Sequence, residues 1–198
     1  DYYGFLAANQ LGIQAQLRHE PLQIDQHLAL MVSQQPNLQR AFELFRLGRT
    51  NQARREWNVL ERQLTDEQKL VAAKLAYDWG WYDRPIFMLA EVGHLNDVNL
   101  RFPLAYKSLM SKVAKQNNLD PALLFAIARR ESSFMHDAYS NAGAAGLMQL
   151  KPSTASYIAK AKVKRRQLFT PDKNVELASN YWSYLLKQTH GNPVLTTA

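Results

Sequence analysis

The sequence predicts an all-α protein, and three observations support this prediction. Apolar residues recur every three or four positions through most of the chain, which is the spacing of one helix face. Helix start signals, such as Asp120 followed by Pro121, precede some of these segments. No segment has the sustained alternation of apolar and polar residues that a half-buried strand requires. The 198 residues, 46% of them hydrophobic, are sufficient for one large core or two small ones.

The first half of the chain is predicted to form short amphipathic helices. Residues 38–47 form one of them, and Gly48 is expected to end it. Thr50 or Asn51 is expected to cap the helix that follows. The apolar positions of the two helices are Leu38, Ala41, Phe42, Phe45, Ala53, Trp57 and Leu60.

A weak repeat indicates how these helices are arranged. Segment 45–53 contains a helix end, a turn at Gly48 and a new helix start, and segment 77–85 has the same features around Gly80. The two segments are 32 residues apart, and repeats of about this length are typical of helical-hairpin arrays. We therefore expect residues 1–101 to form an α-helical hairpin region of the superhelical kind.

The boundary between two domains is predicted near residue 101. Segment 93–103 interrupts the helical pattern with Gly, Asn, Asp and Pro. The charge balance changes at the same place, from 10 basic and 12 acidic residues in 1–100 to 14 and 5 in 101–198. The basic excess of the second half favours a polyanionic partner such as nucleic acid, a membrane surface or an acidic glycan.

The composition excludes several classes of function. The absence of Cys excludes disulfides, thiol catalysis and cysteine zinc sites. The five histidines have no metal-ligand spacing, so we expect neither a metal nor a cofactor. No apolar run approaches the length of a membrane span. The start at Asp1 has no leader pattern, so a signal peptide is expected to lie outside this chain.

The second half opens with two predicted helices. The first covers residues 105–116. Asp120 as the N-cap and Pro121 at the first helical position then start a helix over 121–131. The apolar stripe of the first of these helices is formed by Leu109, Val113 and Ala114.

Glu131, at the end of the helix over 121–131, is the candidate catalytic acid. Leu124, Ile127 and Ala128 lie seven, four and three positions before it, which places its carboxylate on the apolar, core-facing side. Burial among aliphatic side chains and the negative end of the helix dipole both disfavour the charged carboxylate. A carboxyl group that keeps its proton near neutral pH is what a general acid requires. The simpler interpretation is a glutamate at a helix end that turns into solvent.

A loop of small residues follows this glutamate. Residues 143–146 are Gly-Ala-Ala-Gly, which would let the backbone approach a ligand closely, although a plain turn has the same composition. Residues 147–149 are expected to form a short buried turn. The amide of Gln149 can orient a carboxyl group or a sugar hydroxyl, and Pro152 is expected to begin the next helix.

These residues resemble the signature of the lytic transglycosylase Slt domain, a lysozyme-like α fold that cleaves peptidoglycan. The resemblance is carried by Glu131 with Ser132, by Gly143-Ala-Ala-Gly-Leu-Met-Gln149 and by Pro152-Ser-Thr-Ala155. It identifies residues 102–198 as a lysozyme-like transglycosylase domain.

Other segments extend the resemblance over nearly the whole chain. Segment 172–185 resembles the next helix of the family, with Ala178 in place of the usual Gly. Segments 2–8, 77–90 and 100–106 are similar to the linker region of the large soluble lytic murein transglycosylases.

The sequence departs from the family in two places. Met135 and His136 replace the usual Asn-Pro, which predicts a variation in the loop. The third family motif, Ala-Tyr-Asn-Ala-Gly, is expected to begin just after Ala198. We therefore expect the lysozyme-like domain to be truncated at its C-terminus in this chain, which would put its activity in doubt.

The resemblance implies cleavage of the β-1,4 bond between MurNAc and GlcNAc without water. Glu131 would protonate the leaving oxygen and then, as a base, accept the proton of the MurNAc C6 hydroxyl. That hydroxyl attacks C1 and leaves a 1,6-anhydro end. Asp137 lies in a loop with no motif to position it, so the second carboxylate of ordinary glycosidases is not indicated. The motif match also implies substrate-binding roles for Ser132, Ser140, Gly146, Met148, Gln149 and Tyr181, with Ser140 and Gln149 as hydrogen-bond donors.

The basic segment 160–166, Lys-Ala-Lys-Val-Lys-Arg-Arg, has two interpretations. It would attract the carboxylates of the peptide stems of murein, or it is simply a solvated loop or helix face. The aromatic residues near it are sparse (Tyr157 and Phe169), which argues against a nucleic-acid platform.

The resemblance implies a bacterial periplasmic enzyme that acts as a monomer on peptidoglycan glycan strands, not on nucleic acid. It also allows association with the outer membrane or the cell-wall machinery. Two other functions stay open. One is a muramidase that admits water, and the other is a non-catalytic fragment that binds peptidoglycan or serves as a scaffold.

Overall fold

The computed structural model describes residues 2–15, 17–192 and 196. Helices account for 64% of the chain, and the described residues form no strand, only isolated antiparallel bridges from Ala145 to Tyr139 and to Leu150. The all-α prediction is confirmed. The α-helices are α1 (Tyr2–Gln10), α2 (Gln26–Ser33), α3 (Pro36–Arg46), α4 (Thr50–Glu61), α5 (Asp66–Asp78), α6 (Asp83–Val92), α7 (Val98–Arg101), α8 (Lys107–Asn117), α9 (Pro121–Ser132), α10 (Pro152–Ala159) and α11 (Pro171–Gln188), and a 3-10 helix spans Arg165–Phe169.

The chain divides into two compact units. The first consists of residues 1–79 and 84–103, and the second of residues 80–83 and 104–198. Within the ranges that the structure describes, no helix is both long enough and apolar enough to cross a membrane.

The first unit contains the predicted helical hairpin. Helices α3 and α4 pack against each other, and Gly48 between them has the positive φ of 69° that favours glycine. The buried contacts are made by Leu38, Ala41, Ala53, Trp57 and Leu60. The predicted cap of α4 by Thr50 or Asn51 is wrong, because the helix begins at Thr50 and its N-cap, Arg49, makes no side-chain capping bond.

The repeat around Gly80 has the predicted form. Helix α5 ends at Asp78 and α6 begins at Asp83, with a φ of 80° at Gly80 between them. Helix α5 starts with a capping box in which Thr65 and Gln68 bond each other's backbone N–H groups.

A charged cluster of the first unit joins the end of α4 to α5 and α6. The Lys69 ammonium lies 2.7 Å from Oε1 of Glu91, and this bond lowers the pKa of Glu91. Burial raises the pKa of Glu61 above its ordinary value of 4.5, and the charge of Glu91 raises it further, against the opposing charges of Arg84 and Lys69. Ionisation of the Glu61 carboxyl group is therefore less favourable in the folded chain than in the unfolded chain.

This raised pKa predicts a pH-dependent effect of Glu61→Gln. The contribution of Glu61 to stability is fully present below pH 4.5 and is lost as the pH rises through the raised pKa. An uncharged amide avoids this loss, so we expect the variant to melt about 2 °C higher than the parent at pH 7 and at the same temperature near pH 4. Thermal unfolding across this range checks it. Glu43→Gln, at an exposed i,i+3 pair with Arg46, is the control, and a gain that did not grow with pH would contradict the prediction.

The second unit is built on α11, which packs against α8, α10 and the 3-10 helix, while α8 packs against α9. The start of α9 is as predicted, because the Asp120 carboxylate accepts a 2.8 Å hydrogen bond from the N–H of Ala122 and Pro121 occupies the first helical position. The largest fully buried side chains of this unit are Met110, Leu124, Leu147, Leu168, Asn174 and Val175.

Candidate active site

Glu131 lies in the last turn of α9 and is exposed. The prediction of a half-buried carboxylate is therefore wrong. The buried stripe of α9 runs through Leu124, Ala128 and Ser132, and at about 100° per residue Glu131 lies roughly 60° around the helix from Ala128. The carboxylate is thus at the edge of the core-facing side, where the side chain reaches water.

Ser132 joins the end of α9 to the loop that follows. Its side chain is buried, and its hydroxyl lies 2.8 Å from the carbonyl of Leu147 and 3.1 Å from that of Ala128. A serine hydroxyl carries one hydrogen, which these two carbonyls share. The hydroxyl predicted to bind substrate is therefore used inside the protein, where it holds the loop against the helix that carries Glu131.

A tight turn presents Ser140 at the surface of this loop. The Ser140 N–H donates to the carbonyl of Ala144 at 2.9 Å, and its Oγ accepts from the Ala144 N–H at 3.1 Å. The Gly143 N–H closes the turn by donating to the Ser140 carbonyl at 2.9 Å. Because Oγ accepts in the turn, the hydroxyl keeps its own hydrogen, and its donation to a substrate stays a prediction.

Asn174 of α11 holds the centre of the loop. Its side chain is wholly buried, its Nδ2 donates to the carbonyl of Ala145 at 2.8 Å, and its Oδ1 accepts from the N–H of Met148 at 2.8 Å. Both ends of the amide are therefore satisfied, as a buried polar group requires. Asn174 lies in segment 172–185, which resembles a helix of the family, but it is not among the predicted site residues. The sequence did contain a signal for its role: Asn174 occupies a position on the apolar face of α11, and a buried side-chain amide needs hydrogen-bond partners.

Gly146 lies against the end of the 3-10 helix, the start of α11 and the backbone at Ala138. Its φ is 80°, and a Cβ at this position would overlap the Leu168 carbonyl oxygen and the Asn174 amide. Its N–H donates to the Ala138 carbonyl at 2.9 Å. Gly146 is buried and makes these close contacts within the protein, and its predicted contact with substrate stays a prediction.

Met148 and Gln149 end the loop. Met148 is 5% exposed, and Gln149 has a positive φ of 45°. The Nε2 group of Gln149 donates to the carbonyls of Gly146 at 3.0 Å and Ala138 at 3.2 Å. Both amide hydrogens are thereby used, so Gln149 offers a substrate an acceptor at Oε1 and not the predicted donor.

Tyr181 lies on α11 in an aromatic cluster. Its ring stacks on that of Tyr184, with 6.4 Å between centroids, and Tyr184 contacts Tyr157 of α10 edge-on at 6.1 Å. A hydrogen bond between the hydroxyls of Tyr184 and Tyr157 raises the pKa of Tyr184. The ring contact described for Tyr181 is thus with this cluster and not with residues 131–149.

Asp137, the second acidic residue near the loop, lies close to Tyr106. Burial raises the pKa of Tyr106 to about 12, and the charges of Asp83 and Asp137 and the neighbouring Tyr82 contribute to the rise. Among the described residues, no group of three or more His, Asp or Glu side chains is placed to hold a metal ion.

The structure brings most of the predicted site residues together around one loop. Ser132 bonds the Leu147 carbonyl, and Gln149 bonds the Gly146 carbonyl. The Met148 N–H is bonded to the Asn174 side chain, Ser140 is in the adjoining turn, and Glu131 precedes Ser132 in the chain. This arrangement fixes a backbone loop beside one exposed carboxylate.

Two known families match separate parts of the chain. Residues 108–198 match the transglycosylase SLT domain, and residues 31–98 match the soluble lytic murein transglycosylase L domain.

Individual relatives agree with these matches. The soluble lytic murein transglycosylase of Salmonella typhimurium is 29% identical over 203 residues, which cover 100% of this chain and 31% of the relative. An inactive mutant of the lytic transglycosylase Slt of Pseudomonas aeruginosa has a TM-score of 0.91 and 36% identity, covering 99% of this chain and 33% of its own. For the 70 kDa soluble lytic transglycosylase of Escherichia coli the TM-score is 0.90 and the identity 26%, over 98% and 32%. The chain spans about a third of the length of these proteins. The lysozyme-like all-α fold expected for the second half is confirmed.

Proposed function

We propose that the chain is a soluble lytic murein transglycosylase, supported by its matches to the transglycosylase SLT domain and to the L domain, and that it cleaves the β-1,4 bond between MurNAc and GlcNAc of peptidoglycan by a lytic, non-hydrolytic route. The observation that carries the proposal is the position of Glu131. Its exposed carboxylate is directly followed by Ser132, whose hydroxyl bonds the Leu147 carbonyl at 2.8 Å. The residue next to the acid is thereby bonded to the loop of the family signature.

In the proposed first step, the Glu131 carboxyl group donates its proton to the glycosidic oxygen. The bond between that oxygen and C1 of MurNAc breaks, GlcNAc leaves as an alcohol, and C1 acquires oxocarbenium character. The N-acetyl group of the substrate stabilises this centre. Because Glu131 is exposed in the free protein, the bound glycan itself has to exclude water from the carboxylate.

In the proposed second step, the Glu131 carboxylate acts as a base. It accepts the proton of the MurNAc C6 hydroxyl while that oxygen attacks C1, which closes the 1,6-anhydro ring and restores the protonated acid. The attacking group belongs to the substrate, so it needs no activated water and benefits from intramolecular proximity. The Ser140 hydroxyl and Oε1 of Gln149 are the groups of the loop that would orient the sugar.

We also propose the biological setting that the family implies. The division near residue 101 separates an α-helical linker region from the transglycosylase domain, and the protein works as a monomer on glycan strands in the bacterial periplasm. Association with the outer membrane or with the cell-wall machinery belongs to the same proposal.

Mass spectrometry of the products from purified peptidoglycan tests the reaction. We expect muramic ends that are lighter by one water than the reducing ends released by a hydrolase. The exposure of Glu131 favours a muramidase as the second candidate, because water can reach the carboxylate. Reducing ends as the main product would replace the first function with the second, and an absence of cleavage would leave a glycan-binding or scaffolding role.

A further inference from the structure

An open cavity of about 460 Å³ lies beside the turn that carries Ser140. Its walls come from that turn, at Tyr139 and Gly143, from Lys151 and Ser153 at the start of α10, and from Arg165 of the 3-10 helix. All of these residues are in the second unit. Of the seven residues that line the cavity, two are basic and none is acidic, so the cavity is positively charged.

Arg165 is held in this cavity by an aromatic ring. Its guanidinium carbon lies 4.7 Å from the ring centroid of Tyr139, which is a cation–π contact. A guanidinium stacked by its face keeps its N–H groups directed outward from its edge, where they match the two oxygens of a carboxylate. In the part of the chain that the structure describes, neither Arg165 nor Lys151 forms a salt bridge.

The backbone that carries Arg165 is anchored to the loop of the candidate active site. Leu168 is wholly buried, and its carbonyl oxygen lies against Gly146. Before the 3-10 helix, the Val163 N–H donates to the Ser156 hydroxyl at 2.9 Å. The backbone is therefore anchored at Val163, within the basic segment 160–166, and at Leu168, just after it, while the basic side chains of the segment are exposed.

We propose that this cavity is an anion subsite that binds a carboxylate of the peptide stem attached to MurNAc. The choice of ligand rests on the proposed function, since peptide-bearing glycan strands carry carboxylates close to the sugar chain. The subsite adjoins the turn of Ser140, so a glycan bound along that turn would bring its peptide substituent toward Arg165 and Lys151.

A binding experiment tests the subsite without requiring cleavage. The probes are a fluorophore-labelled muramyl tripeptide with free carboxylates and the same compound with every carboxylate converted to a carboxamide. We expect the parent protein to bind the carboxylate probe more tightly than the amide probe. Arg165→Gln and Lys151→Met, which keep most of the side-chain length, should each weaken binding of the carboxylate probe about tenfold and leave binding of the amide probe unchanged.

Two neighbouring basic residues provide matched controls. Arg166 and Lys162 are exposed in the same segment and do not line the cavity, so Arg166→Gln and Lys162→Met should change binding of either probe less than twofold. Equal losses for the control and test variants would reduce the effect to general charge and overturn the subsite. Equal losses on the two probes, or none, would overturn it as well, as would displacement of the carboxylate probe by inorganic phosphate at concentrations where acetate is without effect.

The outcome for the subsite is separate from the outcome for the reaction. Carboxylate-selective binding that depends on Arg165 and Lys151 supports the subsite even if peptidoglycan is not cleaved, and that second result counts only against the proposed reaction. Conversely, cleavage with 1,6-anhydro products together with unselective binding removes the subsite and leaves the reaction standing.

Discussion

Glu131→Gln is expected to lower the rate of glycan cleavage by about a thousandfold, because in the proposed reaction the same carboxyl group serves as acid in one step and as base in the next. The amide has the same shape but neither donates a proton readily nor accepts one. Since Glu131 is exposed, the free energy of unfolding should change by no more than about 0.5 kcal/mol. The rate of release of 1,6-anhydro products and the thermal midpoint of the variant measure the two parts of this expectation.

Asp137→Asn is the matched control for this variant. Asp137 follows Glu131 in the same loop region, close to Tyr106, and has no part in the one-carboxylate scheme. We expect the control to keep its rate within a few-fold of the parent. A loss comparable to that of Glu131→Gln would indicate two cooperating carboxylates, as in ordinary glycosidases, and full activity in Glu131→Gln would remove Glu131 from the reaction.

Gly146→Ala is expected to have the largest effect on stability, a loss of about 3–5 kcal/mol. The positive φ of 80° is unfavourable for alanine, and the added methyl would overlap the Leu168 carbonyl and the Asn174 amide. Moving Asn174 would also weaken its bonds to Ala145 and Met148. Urea unfolding followed by circular dichroism measures the loss, and cleavage should fall with it because the loop beside Glu131 is displaced.

Gly143→Ala separates the two causes of this loss. Gly143 has a φ of 85°, but a Cβ there would meet nothing within 4 Å. The control should therefore lose only the free energy of the unfavourable backbone conformation, about 1 kcal/mol of stability. If the two variants lost the same free energy, close contact at Gly146 would not be the cause.

The helices could be predicted from the sequence because their signals are local. Asp120 and Pro121 start α9 within one turn of the helix, and the apolar spacing of Ala53, Trp57 and Leu60 matches the buried face of α4. The failed predictions concern details that local pattern does not determine. The start of α4 at Thr50 is one such detail, since a helix begins there without a side-chain cap.

The residues of the candidate site were proposed from the sequence, but their environment could not be predicted from it. The family signature from Glu131 to Gln149 lies in a continuous segment, so motif and loop could be recognised together. The exposure of Glu131 depends on which part of the α9 surface other segments cover. Helical spacing predicts the edge of that covered surface only to within about one residue. The use of the Gln149 amide hydrogens within the loop likewise depends on the path of the backbone around Ala138 and Gly146.

The sequence by itself determined the all-α class, the position of most helices, and the family to which the signature belongs, because these depend on spacing along one stretch of chain. Only the tertiary structure decided which side chains support the site. Asn174 bonds residues that precede it by 26 and 29 positions, and Arg165 meets Tyr139 across a similar separation. Such pairs form when separate helices pack, and no periodicity in the chain encodes the distance between them.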